Sequence, residues 1–244
     1  MMIRFESLGA RPDLIPAVES AGQNAWPEFL HHGDVSNWRA LYDRFPEYQF
    51  ALLNDAGDVI GAGHTVPFRW DGEPNSLPET IDGIILRAIQ TAESELLPNT
   101  ISALAAIVSP EHQRQGHSGR ILQNMRAIAR DHGLISMVAP VRPILKSDHP
   151  DVSFDDYVSR TTSEGLPFDP WIRLHMKMGA RILRTIPAGI RVEGSVAEWS
   201  SWTGMSFTDT GDYVVEGALQ PVRIDKQTDL GVYEDPNVWM LHPL

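Results

Sequence analysis

Three observations predict an α/β fold, a central sheet flanked by helices. Ile101–Val108 is a mostly apolar run with the length of a buried strand. A polar, glycine-containing turn follows it, and Ile121, Leu122, Met125, Ile128 and Ala129 then recur at helical spacing until Gly133 ends the pattern. A second apolar run, Leu134–Val141, closes on prolines at 140 and 143 and reads as the next buried strand. A parallel strand reached through a crossover helix is the natural partner of the first run.

The remaining elements fit the same plan. Ile3–Leu8 reads as a strand, Asp13 as the cap of a helix through Leu14, Ile15 and Val18, and 37–45 as a second helical stretch. Tyr48–Leu53 and Val59–Val66 flank the turn Asn54-Asp55-Ala56-Gly57-Asp58 and predict a hairpin. Ile81, Ile84, Ile85, Ala88, Ile89 and Ala92 mark a further helix, whose expected role is to pack one apolar face on the sheet. Arg181–Val192 reads as a strand. The aromatic-rich stretch 196–205 and the short runs 213–215, 221–225 and 231–234 read as hairpins, with 237–240 as a final strand.

Composition narrows the function. The chain has 244 residues, 42% hydrophobic and 21% charged, which describes a globular protein able to bury a sizeable core. Twenty basic and 32 acidic residues give a net charge of −12, which argues against a general nucleic-acid binder. There are no cysteines, so disulfides, thiolate metal sites and cysteine nucleophiles are excluded. No apolar stretch is long enough for a bilayer and the N-terminus lacks a secretory pattern, so a cytoplasmic protein without a membrane partner is the expectation. The Gly-x-Ser-x-Gly elbow of hydrolases and the Gly-x-Gly-x-x-Gly dinucleotide fingerprint are both missing. His31-His32 beside Asp34 lacks a third ligand nearby, and no metal site is expected.

The turn Gln113-Arg114-Gln115-Gly116-His117-Ser118-Gly119 carries the chemistry of a ligand site. A small-residue turn between a strand and a helix N-terminus gathers free backbone N–H groups into an anion cradle. This stretch resembles the acyl-CoA signature Gln/Arg-x-x-Gly-x-Gly/Ala of the GNAT superfamily of N-acyltransferases. Ser118 replaces the usual Gly or Ala, and it is small enough for close backbone approach. The resemblance implies a mixed, mostly antiparallel sheet, with Ile101–Val108 and the following strand splayed around the pantetheine arm. It implies that Ile107, Val108, Gln113, Arg114, Gln115, Gly116, His117, Ser118 and Gly119 bind acetyl-CoA, the acyl donor. It also implies a backbone N–H at a bulge in the first splayed strand, with 106–108 in the corresponding run, to polarise the thioester carbonyl.

A second constellation is Asp169-Pro170-Trp171-Ile172-Arg173-Leu174-His175-Met176-Lys177-Met178-Gly179. An N-cap, a proline at the first helical position and a terminal glycine frame a short, complete helix. Many GNAT enzymes end a corresponding helix in Leu-Tyr-x-x-x-Gly, the tyrosine protonating the departing thiolate; here His175 holds that place. Histidine titrates near neutrality and can act as acid or base, and structural packing is the competing role. Ile101–Val108 has no carboxylate base. Asp169 reads as a cap rather than a base, His64 as structural, and 146–156 as a charged connection, either solvated or an acceptor-side loop. Trp199 and Trp202 read as core, with an acceptor pocket as the other use.

The expectation is therefore a GNAT-like core over 1–192, with a helical insertion near 79–97 and a β-rich C-terminal extension over 193–244 packed on the core. The expected activity is acetyl transfer from acetyl-CoA to a small-molecule or peptide amine by direct attack. A non-catalytic CoA-binding sensor is the alternative, and a homodimer is compatible with either.

Overall fold

The computed structural model describes residues 3–23 and 25–244. They form two compact units, one of 1–26, 36–140 and 241–244, the other of 27–35 and 141–240.

In the first unit the strands run in the order β1 (Arg4–Ser7), β2 (Gln49–Leu53), β3 (Val59–Phe68), β4 (Thr100–Val108) and β5 (Ser136–Val141), whose last residue belongs to the second unit. The first four are antiparallel neighbours and β4–β5 is parallel, so the sheet is mixed and mostly antiparallel. The hairpin closes as expected, with Gly57 at φ +91° in its turn. One face of the sheet buries Leu53, Ala62, Ala105 and Ile107 against Leu14 and Val18 of the segment leading into and through α1 (Ile15–Gln23). Asp13 does not cap that helix. It pairs with Arg11 at 2.6 Å, and the chain enters through a 3-10 turn at Pro12–Leu14. The second helical stretch contracts to α2 (Ala40–Asp43), between isolated turns and a 3-10 turn at Pro46–Tyr48.

The helix marked by Ile81 to Ala92 is α3 (Ile81–Glu93). Thr80 caps it by accepting from the Gly83 N–H at 2.9 Å, and Ile81, Ile84, Ile85 and Ala88 are buried. Asp82 accepts from both the backbone N–H and the side-chain amide of Asn37 at 2.7 Å, tying α3 to the approach to α2. The crossover helix is α4 (His117–Asp131). Its buried stripe is Ile121, Leu122, Met125 and Ala129, the spacing that faces a sheet.

The second unit holds α5 (Phe154–Ser159), α6 (Pro170–Lys177), β6 (Arg181–Gly194), α7 (Val196–Thr203), β7 (Gly211–Tyr213), β8 (Val222–Asp225) and most of β9 (Leu230–Pro243). β8 pairs with β7 and β9, both antiparallel, and β6 pairs with β9. Two expectations fail here. The stretch 196–203 is a helix, because Ser195 and Glu198 form a reciprocal capping box and Gly204 closes the end at φ +68°. The runs 231–234 and 237–240 are one continuous strand, although Asp235-Pro236 lies between them.

Candidate active site

β4 and β5 pair at Thr100–Ser136, Ile101–Met137 and Ser102–Val138. A 2.9 Å hydrogen bond between the Thr100 and Ser136 hydroxyls joins the first of these pairs. Past Ser102, β4 runs on to Val108 in register with β3. Parallel pairing thus covers the N-terminal third of β4, and the two strands part beyond it. The β3–β4 register also slips: His64 faces Ala105 and Thr65 faces Ala103, so Leu104 is an extra, bulged residue. The bulge sits just past the last β4–β5 pair, two residues before the run 106–108 where the resemblance places it. A bulge takes backbone groups out of the ladder and can turn an N–H toward a ligand.

At the far end of β4, the chain turns through a 3-10 segment at Pro110–His112 into the cradle. Ser109 donates to the Ile60 carbonyl at 3.0 Å, and the Gln113 side chain donates to the Val108 carbonyl at 3.2 Å, so both ends of the turn are anchored to the sheet. Arg114 and Gly116 have φ of +60° and +78°. The space where a Gly116 Cβ would stand is open, so glycine is needed there for its backbone angle. The first bond of α4 to reach back runs from Arg120 N–H to the Gly116 carbonyl at 3.4 Å. The N–H groups of His117, Ser118 and Gly119 precede it and point off the helix end, where the helix dipole is positive. Gln113 to Gly116 are exposed, Val108, Ser118 and Gly119 half-buried, and His117 and Ile107 buried. The Ile107 side chain belongs to the core beside α1, so only its backbone is available to a ligand.

In the second unit, Asp169 caps α6 with one carboxylate oxygen, which accepts from Trp171 and Ile172 N–H at 2.9 and 3.1 Å. Its other oxygen accepts from Leu145 N–H and the Tyr157 hydroxyl, both at 3.0 Å. With four donors on a buried carboxylate, Asp169 is a structural cap. Burial and this carboxylate hold the Tyr157 hydroxyl protonated. The helix ends in a Schellman motif: Ala180 N–H donates to the His175 carbonyl, Gly179 N–H to Met176, with Gly179 at φ +89°. His175 lies between these two stops, 2% exposed, its ring set edge-on to Trp171 at 4.5 Å.

The other singled-out groups separate cleanly. His64 is buried on β3, bonded to the Gln49 side chain at 3.3 Å and packed edge-on against Trp38 and Tyr42; burial lowers its pKa to about 4. The charged connection is not simply solvated. Lys146 is fully buried, donating to the carbonyls of His149 and Leu219, and 154–159 is helical. His32 stacks on Trp202 at 4.2 Å and reaches Glu28 at 3.3 Å. No group of three metal-binding side chains occurs among the described residues. Trp199 is core, packed on Phe29 and Gly231. Trp202, Glu28 and Glu216 line an open cleft of about 590 Å³ with Phe29, Met205 and Val214. Sequence reasoning missed Arg142, whose Nε contacts both oxygens of buried Asp235 at 3.0 Å while Tyr233 donates to the same carboxylate at 2.6 Å.

No family model matches the chain. It is 29% identical to the arginine N-acetyltransferase avaD of Aspergillus versicolor, over 98% of this chain and 93% of that one. Its fold matches the loading GNATL domain of CurA from Lyngbya majuscula, with TM-score 0.62 and 19% identity over 99% and 96% of the two chains. It also matches the GNAT-like decarboxylase GphF in complex with isobutyryl-CoA, at 0.60 and 17% over 100% and 99%. The chain thus has the fold of these GNAT and GNAT-like proteins. The parted β4 and β5, the bulge at Leu104 and the cradle at the head of α4 are this chain's version of that fold.

Proposed function

We propose that this chain is an acyl-CoA-dependent N-acetyltransferase of the GNAT superfamily, which transfers acetyl from acetyl-CoA to the amine of a small cationic acceptor of the arginine kind. The observation that carries the acceptor class is the end-to-end similarity to an arginine N-acetyltransferase. The charge of −12 favours attraction of a cationic acceptor. In the open cleft, the carboxylates of Glu28 and Glu216 would be the groups that hold a guanidinium.

In this reading the backbone N–H groups of 113–119 hold the pyrophosphate, with Ile107 and Val108 offering main chain to the pantetheine arm. The neutral amine attacks the thioester carbonyl, forming a C–N bond. Backbone N–H at the Leu104 bulge stabilises the resulting oxyanion. The C–S bond then breaks, the amine nitrogen releases one proton to solvent, and His175 gives one to the thiolate. A thiol with a pKa of about 8.5 needs only modest acid help, which a histidine can supply near neutrality.

The test is a thiol-release assay with acetyl-CoA against L-arginine, agmatine, L-lysine, L-leucine and a protein N-terminal peptide. Release with the guanidinium-bearing amines and little with L-leucine supports the acceptor class. Release that ignores the cationic group overturns it.

A further inference from the structure

The open cleft is walled by three segments of the second unit: 27–29, 202–205 at the end of α7, and 214–217 after β7. Glu28 and Glu216 stand exposed on two different segments, so the packing beneath them sets their separation. Glu216 is the second residue of a β-turn over 215–218, closed by the Ala218 N–H donating to the Val215 carbonyl at 3.1 Å. Gly217 takes the third place at φ +80°, where glycine is favoured, and Val215 and Ala218 at the ends of the turn are buried. This turn meets the Glu28 segment directly. A Cβ on Gly217 would stand 2.6 Å from Pro27 Cγ, in a ring closed on its own backbone and unable to swing aside.

One buried side chain ties the same two segments together. The Tyr233 ring on β9 packs edge-on against Phe29, the neighbour of Glu28, at 5.2 Å between centroids. Its hydroxyl accepts from the Leu219 N–H at 2.9 Å, three residues past Glu216, and donates to Asp235 at 2.6 Å. Asp235 also accepts from Arg142 Nε and the Asn237 amide, and Arg142 Nη2 donates to the Gly217 carbonyl at 2.8 Å. Burial and the charge of Asp235 keep the tyrosine protonated, so its hydroxyl stays both donor and acceptor. A buried ion pair is a weak source of stability; what it supplies best is a single arrangement of the groups bonded to it. Here those groups are the two acid-bearing walls.

We propose that Tyr233, with Asp235 and Arg142 behind it, is a positioning residue that fixes the spacing of Glu28 and Glu216, and that this spacing selects a guanidinium over an ammonium. This rests on the reading of the cleft as the acceptor site. A guanidinium is a planar fork with donors at fixed angles, so two carboxylates hold it together only at matched positions. An ammonium is a compact charge with rotatable donors and follows either carboxylate alone. Moving the walls therefore costs the guanidinium one charge-assisted hydrogen bond, about tenfold in KM, and costs the ammonium less.

The test is thiol release with L-arginine and L-lysine, which share the α-amine and differ in their cation. Tyr233→Phe keeps the ring against Phe29 and removes the hydroxyl. Gly217→Ala acts at the Pro27 contact and leaves the buried polar side chains in place, so it reports even where the tyrosine variant does not fold. In both, the KM for L-arginine should rise about tenfold, while those for L-lysine and acetyl-CoA change by less than about threefold. Retention of the wild-type preference for arginine in both variants overturns the proposal. So does a rise shared equally by arginine, lysine and acetyl-CoA, the mark of general loosening. Equal KM values for the two amino acids in the wild type overturn it without any variant. Glu28→Gln and Glu216→Gln check the underlying reading: if neither weakens L-arginine, the cleft is not the acceptor site and the spacing argument falls with it.

Discussion

Replacing Asp169 separates its two conceivable roles, because a cap and a base lose different things. In Asp169→Ala the helix that carries His175 loses its N-cap, worth about 1 kcal/mol. The buried Tyr157 hydroxyl loses its acceptor at about 1–3 kcal/mol, and half-buried Leu145 N–H adds a smaller amount because water can reach it. The sum is about 2–5 kcal/mol. Asp169→Asn keeps the oxygen facing Trp171 and Ile172 but turns an NH₂ toward Leu145 N–H and Tyr157. The tyrosine hydroxyl can rotate to accept, whereas the backbone N–H cannot, so the loss falls to about 1–2 kcal/mol. Urea unfolding measures both, alongside steady-state turnover. As a cap, Asp169 gives losses in the order Ala above Asn, with turnover of the Asn variant reduced only severalfold. Unchanged stability in both variants, together with a turnover loss of about a hundredfold or more in Asn, would refute the cap and restore the base.

Further outcomes follow from the same geometry. Gly116→Ala forces a Cβ onto a left-handed residue with open space around it, so it costs about 1–2 kcal/mol of local strain. It should raise the KM for acetyl-CoA and leave the acceptor KM unchanged; an unaltered donor KM removes the backbone argument. His175→Phe and His175→Gln should lower turnover at saturating acetyl-CoA by about tenfold to a hundredfold, and unchanged turnover in both sinks the acid role. His64 has a folded-state pKa of about 4 against an ordinary 6.5, so it binds protons more readily in the unfolded chain. Its contribution, up to about 3 kcal/mol, is complete above about pH 6.5 and is lost as pH falls toward 4. His64→Gln should flatten the pH dependence of unfolding in that window, and a profile identical to wild type contradicts the buried neutral ring.

Legibility in the sequence followed the range of the interactions involved. The strand–turn–helix around 101–129 and the capped helix 170–177 came directly from local patterns: apolar spacing, a proline at the first helical position and glycines at positive φ. The helix at 196–203 is also locally encoded, by Ser195 and Glu198 three residues apart, although its aromatic residues also suit a strand. Asp235-Pro236 read as a break because a charged residue before proline favours a turn. Its carboxylate instead meets Arg142, 93 residues away, which makes an aspartate tolerable inside a strand. Lys146 read as solvated because the carbonyl of Leu219 lies 73 residues from it in the chain.

The sequence by itself determined the anion cradle: a glycine-bearing turn between strand and helix suffices to gather free N–H groups, since helix termini leave them unpaired wherever they occur. Tertiary structure decided where β4 parts from β5, that Leu104 rather than 106–108 carries the bulge, and that the ring of His117 is sealed without partners. Each of those depends on register or burial between segments far apart in the chain, and no local pattern of side chains encodes either.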